Sequence, residues 1–247
     1  MAFFSKDSFE IYEKNLYSFC QNYDILSVTI SCDIALTNEI LDCSERSGAM
    51  DSFCHTTVAS GLLDYMEQTE GVTFDRKAFY FGNLKPDLKG EYLTKRHNPS
   101  LMFEEVMQKI RDFVQNFRIQ ATNGAKLSEA LGEICHYVTD FFSFPHNDTI
   151  YPRGLFAHYV YEKRTALRIR RRVTEQCFSD GIDNGFPNTV EALIEEIGAR
   201  HAVYTAQAKH CIADDVEQIC AILALLVGSL VQLLYKMKVS KPCARTA

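Results

Sequence analysis

The sequence predicts a helical bundle, and three observations carry that prediction. Leu127, Leu131, Ile134, Val138 and Phe141 recur at the spacing of one apolar helix face. His136 and Asp140 stand four apart, as do His158 and Glu162, the spacing that projects two side chains from the same side of a helix. Finally, Ile219 to Leu234 is apolar except for Ser229 and Gln232. A membrane span needs about 20 apolar residues, so this shorter run reads as a buried central helix.

The chain has 247 residues, enough for one large domain or a domain with an appendage. Its apolar fraction, 47%, is that of a globular protein. A net charge of −6 argues against a general nucleic-acid binder, which carries basic excess. Nine cysteines occur without a CxxC pair, and Cys32, Cys43 and Cys54 are too far apart for a local zinc knuckle. The odd count and the lack of a secretory leader pattern predict reduced, mostly buried thiols and a cytoplasmic location.

Residues 1–49 read as an N-terminal extension whose order the sequence leaves open. Asp7 to Gln21 could form a helix with Phe9, Tyr12, Leu16 and Phe19 on one face, and Ile25 to Ile30 alternates weakly like a short strand. A second helix is expected over Asp33 to Leu41, then a linker from Ser44 to Ala49 before Met50.

The main domain, 50–247, is expected to begin with a helix from Asp51 to Gln68. Val58, Leu62, Leu63 and Met66 form its buried side, and His55 lies near its start. After Gly71, the stretch Gly82-Asn83-Leu84-Lys85-Pro86-Asp87 predicts a turn in which Pro86 presents Asp87 from non-helical backbone. His97 comes next, just before Asn98-Pro99. Helices are expected over Ser100 to Phe117 and Ala125 to Phe142. Pro145 ends the second of these, and His146 stands at the mouth of the turn. Further helices are expected over Arg153 to Glu175, Thr189 to Gln207 and Ala213 to Lys236, with a loop from Gly181 to Pro187.

Two imidazole–carboxylate pairs with His146 between them are what a helical protein needs to build a polynuclear metal site. His201, in line with Ile197 and Tyr204, reads instead as a packing residue, and His210 as a surface residue. Lys163, Arg164, Arg168, Arg170, Arg171 and Arg172 form a basic run. It is either a solvated face or an attractor of phosphate groups and membrane surfaces.

The order His55, Asp87, His97, His136-x-x-x-Asp140, His146, His158-x-x-x-Glu162 resembles the zinc-dependent phospholipase C family, whose superfamily also holds single-strand nucleases. The resemblance runs from about Asp51 to the C-terminus and is strongest over His136 to Glu162. It implies an all-α bundle with a metal cleft holding two zinc ions, with a third left open. His97, His136 and Asp140 would hold one ion, with Asp87 beside it as ligand or base. His146, His158 and Glu162 would hold a second. Asp140 would bridge to a third, also held by His55. In secreted relatives that third ion is completed by a processed N-terminal Trp, and this chain contains no Trp.

The ligand types suit that chemistry. Zinc accepts imidazole and carboxylate, and it lowers the pKa of bound water from about 15.7 towards 7. The expected activity is a zinc phosphoesterase, a phospholipase C-like hydrolase of phosphodiesters or phospholipids with peripheral membrane contact. Asp87 would orient the water or take its proton. A nuclease-like phosphodiesterase and a non-catalytic zinc-stabilised scaffold are the alternatives. A helical phosphohydrolase with an adjacent His-Asp pair is disfavoured, because no such dipeptide occurs.

Overall fold

Asp75, Asn98 and Thr189 each cap the start of a helix. In a computed structural model of the protein, Asn98 accepts a hydrogen bond from the Leu101 N–H (3.2 Å) with Pro99 in the first turn, and Thr189 Oγ1 accepts from the Ala192 N–H (3.1 Å). Asp75 accepts from the Ala78 N–H (3.0 Å). Each such cap is worth about 1 kcal/mol.

The structure describes residues 51–88, 97–117, 124–151, 155–179, 182 and 185–239. The expectations for residues 1–49 lie outside them. The described chain forms α1 (Asp51–Glu70), α2 (Arg76–Leu88), α3 (Pro99–Asn116), α4 (Gly124–Phe141), a 3-10 turn (Phe144–His146), α5 (Leu155–Ile169), α6 (Glu175–Ser179), α7 (Val190–Thr205) and α8 (Ile212–Val239). No strand occurs among the described residues, so the fold is an all-α bundle. These helices lie in one compact unit, Met50–Ala247.

At the centre lies α8, whose residues from Ile222 to Val231 are all buried. Among the described helices it is the one long and apolar enough to cross a membrane, and 72% of its apolar window is buried inside the protein. Leu131, Ile134, Val138 and Phe141 of α4 are buried as the periodicity predicts, while Leu127 packs at the core's edge. Cys135 and Cys220 are buried thiols, and burial pushes both pKa values up.

Helices α2 and α4 make the most extensive helix pairing, and two glycines permit it. A β-carbon on Gly82 would lie 1.9 Å from the Glu129 carbonyl oxygen; one on Gly132 would lie 2.2 Å from that of Phe79. The backbones therefore touch at both points. The Asp75 N–H also donates to Ser128 Oγ (3.0 Å), which fixes the start of α2 against α4.

Three expectations are corrected. Pro86 does not make a turn: it lies inside α2, and Asp87 sits in the last helical turn. So close to the helix end, a proline removes one backbone hydrogen bond and leaves the preceding turns intact. The long helix expected over Arg153 to Glu175 stops at Ile169, and a separate short helix, α6, starts at Glu175. Val173 and Phe178 turn back onto α1, where Gly61 leaves room for them; a β-carbon there would lie 2.5 Å from Val173 Cγ1. Finally, His210 is half-buried, its ring stacked on Phe144 at 4.6 Å between centroids and 11° between planes.

Candidate metal centre

Five elements and one connecting stretch deliver the eight predicted site residues. His55 comes from α1, Asp87 from the end of α2, and His97 from the residues just before the Asn98 cap. His136 and Asp140 come from α4, one and two turns beyond Gly132 on the same stripe. One of the two close backbone approaches of α2 thus lies on the helix stripe that carries these two candidate ligands. His146 ends the 3-10 turn, and His158 and Glu162 lie on α5.

All eight converge. His97 Nδ1 lies 3.2 Å from His136 Nε2, 3.6 Å from Asp87 Oδ1 and 3.6 Å from Asp140 Oδ2. His136 Nε2 lies 3.5 Å from Asp87 Oδ1 and 3.3 Å from Asp140 Oδ2. Donor atoms at the corners of a zinc tetrahedron, each about 2.0–2.1 Å from the ion, stand about 3.3 Å apart. These five separations fit that figure.

The other oxygen of Asp140 faces elsewhere. Oδ1 lies 3.2 Å from His55 Nε2 and 3.8 Å from His146 Nε2. His146 Nε2 is 3.5 Å from Glu162 Oε1, which is 2.5 Å from His158 Nε2. Among the described residues, three groups able to hold an ion result: Asp87–His97–His136, His146–His158–Glu162, and His55–His136–Asp140. In the last, the His55 and His136 rings stack at 4.2 Å.

Burial grades across the cluster. The side chains of His136 and Asp140 are 0% and 2% exposed, against 12% for Asp87, 17% for Glu162 and 23% for His158. The first two therefore floor the site, Asp87 keeps both carboxylate oxygens buried, and Glu162 and His158 lie nearest solvent. Burial alone would raise the Asp140 pKa. The His146 and His136 imidazoles, with hydrogen bonds from His55 and His97, outweigh it and hold the carboxyl well below the usual range. That direction favours the ionised carboxylate, the form in which it could serve as a ligand.

A set of supporting residues was not read from the sequence. Asn147 Nδ2 donates to the Phe141 and Ser143 carbonyls (3.0 and 2.9 Å), closing the end of α4 beside His146. Its Oδ1 is then the acceptor, so His201 Nε2 donates to it at 2.9 Å. His201 packs among Phe103, Phe141 and Phe142, and burial lowers its pKa despite a backbone hydrogen bond at Phe141. It is a packing residue, as expected, with one hydrogen-bonding duty added. Asn98 Nδ2 donates to Asp148, tying the His97 stretch to the turn after His146. An Asn just after a ligand is a faint signal, visible only once the ligands are known.

The fold and donor set are those of a helical protein able to hold more than one metal ion. The sequence model for zinc dependent phospholipase C matches residues 54–214, well over half of the chain. The protein belongs to the zinc-dependent phospholipase C family. Comparison with curated proteins and with solved structures gives no match.

Proposed function

We propose that the protein is a zinc-dependent phosphoesterase that hydrolyses phosphodiesters in the manner of a phospholipase C. The single observation that carries this reading is Asp140, one buried carboxylate whose two oxygens face different groups of imidazole nitrogens. A carboxylate shared in this way would serve two metal groups at once, an arrangement suited to displacement at phosphorus.

His97, His136 and Asp87, with Asp140 Oδ2, would hold one zinc ion. His146, His158 and Glu162, near Asp140 Oδ1, would hold a second, and His55 offers a position for a third. Zinc, when bound, supplies Lewis acidity that makes water a stronger acid and offsets charge on phosphate oxygens. Asp87 Oδ1 faces the His97 and His136 nitrogens at 3.6 and 3.5 Å, and its second oxygen would accept the proton of the attacking water. A water oxygen joins phosphorus as its proton passes to Asp87, the bond from phosphorus to the glycerol-side oxygen breaks, and that oxygen takes the proton back from Asp87 and leaves as a hydroxyl.

The substrate reading extends to the surface. Arg164, Arg168, Arg170, Arg171 and Arg172 are exposed along α5 and the turn after it, around Leu167 at 71% exposure. A leucine set among arginines suits the headgroup layer of an anionic membrane, so the substrate is a phospholipid presented in a bilayer. The buried thiols of Cys135 and Cys220 suit a reducing, cytoplasmic setting.

A panel of phosphodiesters and phosphomonoesters, assayed with the full chain with and without added zinc, tests the reaction class. Zinc-dependent release of a phosphomonoester from phospholipid is expected. Turnover of phosphomonoesters alone, or zinc binding without turnover of any phosphoester, would contradict it.

A further inference from the structure

Asp215, in the first turn of α8, lies one residue past the family match and is 1% exposed. Its carboxylate is fully engaged. Oδ2 accepts from the Tyr161 hydroxyl (2.8 Å) and from the Phe144 N–H (3.0 Å), and Oδ1 accepts from the Tyr204 hydroxyl (2.8 Å). Tyr161 immediately precedes Glu162 on α5, and Phe144 stands two residues before His146 in the 3-10 turn. One buried carboxylate thus grips both elements that supply the His146–His158–Glu162 group. The Phe144 and Tyr161 rings also meet edge to face at 5.9 Å.

A buried carboxylate this well hydrogen-bonded is costly to keep and is retained where geometry depends on it. An acidic residue in a first helical turn has an ordinary explanation in the helix dipole, but that explanation asks for exposure at the helix end, not for hydroxyls from two other helices. Helix α5 has one rotational freedom that matters here, about its own axis. Tyr161 held at Asp215 fixes that rotation and with it the direction of His158 and Glu162. The Phe144 N–H held at the same oxygen fixes the turn that aims His146.

We propose that Asp215 is a positioning residue for the second metal group, holding the 3-10 turn and α5 in register so that His146 and Glu162 stay 3.5 Å apart. The proposal rests on the metal reading above. Tyr204 provides the internal control. It spends its hydroxyl on the same carboxylate but stands on α7, which carries no ligand of the cluster.

The test is zinc binding by the full chain, measured by competition with a chromophoric chelator, for wild type, Tyr161→Phe, Tyr204→Phe, Asp215→Asn and Asp215→Leu. Residues that orient metal ligands are typically worth about 10–100-fold in metal affinity. Tyr161→Phe is expected to weaken one of the two zinc ions about 10-fold, and Tyr204→Phe to leave both unchanged, with equal helical content. Asp215→Leu is expected to lose that ion, and Asp215→Asn, which keeps the shape and one acceptor, to recover part of it. In a Glu162→Gln background, Asp215→Leu should cause no further zinc loss. Equal effects of Tyr161→Phe and Tyr204→Phe, or two affinities unmoved by any variant, would overturn the role of Asp215 alone. Wild-type protein that takes up no zinc would overturn the metal reading and this proposal with it.

Discussion

Gly82 of α2 meets Glu129 of α4 so closely that a β-carbon would lie 1.9 Å from the Glu129 carbonyl oxygen. Backbone, not a flexible side chain, occupies that space, so an added methyl must push the helices apart. Alanine favours a helix over glycine by about 1 kcal/mol, and overpacking costs about 1–3 kcal/mol or more; here the clash wins. Gly82→Ala is expected to lower the denaturant midpoint and to weaken zinc binding, because Asp87 lies on α2 and its partner His136 on α4, 3.5 Å away. Gly124→Ala, with nothing within 4 Å, is the neutral control. Equal midpoints for the two variants would contradict the close approach.

Asp140→Asn keeps the side chain's size and removes its charge. One oxygen becomes a poor ligand, while His136 stays in place on α4. Loss of hydrolysis with a reduced zinc count is expected in a protein whose circular dichroism remains helical. His201→Ala removes a ring among Phe103, Phe141 and Phe142 and the hydrogen bond to Asn147. It is expected to cost about 1–3 kcal/mol of stability without changing the zinc count. Equal zinc loss in both would erase the distinction between ligand and packing histidines.

Charge reversal at Arg164, Arg168 and Arg171 tests the proposed membrane contact. Each basic residue near an anionic bilayer contributes about 1 kcal/mol. The triple glutamate variant is expected to lose binding to phosphatidylserine vesicles, with wild-type binding falling as salt rises, and to keep its rate on a soluble phosphodiester. Unchanged vesicle sedimentation would rule out a membrane contact through this face.

A chain starting at Met50 is expected to fold and bind the same zinc as the full chain, since all eight site residues come after it. Side-by-side zinc counts decide the matter; a missing ion in the shorter chain would show that residues 1–49 contribute a ligand.

How far the sequence reached depended on whether a feature is local. The four-residue spacings of His136–Asp140 and His158–Glu162, the apolar stripe of α4 and the buried run of α8 are periodicities within single helices, and they were legible. So was the break before His146, because Pro145 acts on its own neighbours. Pro86 misled because the local rule for proline ignores how near a helix is to its end. The end of α5 at Ile169 carried no local signal, and the room that Gly61 leaves for Val173 and Phe178 lies far away in sequence. What Gly82 and Gly132 do emerges only when α2 and α4 are paired, because each makes room for backbone of the other helix. Asp215 carried no signal beyond a charge at a helix start, since its three donors come from three other elements.

The most direct measurement is the zinc content of the purified full chain by elemental analysis, taken with its melting temperature before and after chelation. Ligands converge here in a buried cluster, and metal bound only to the folded state adds its binding energy to stability. At least two zinc ions per chain are expected, with a melting temperature that falls on chelation and recovers when zinc is returned. Protein that takes up no zinc and melts unchanged with chelator would contradict the metal centre.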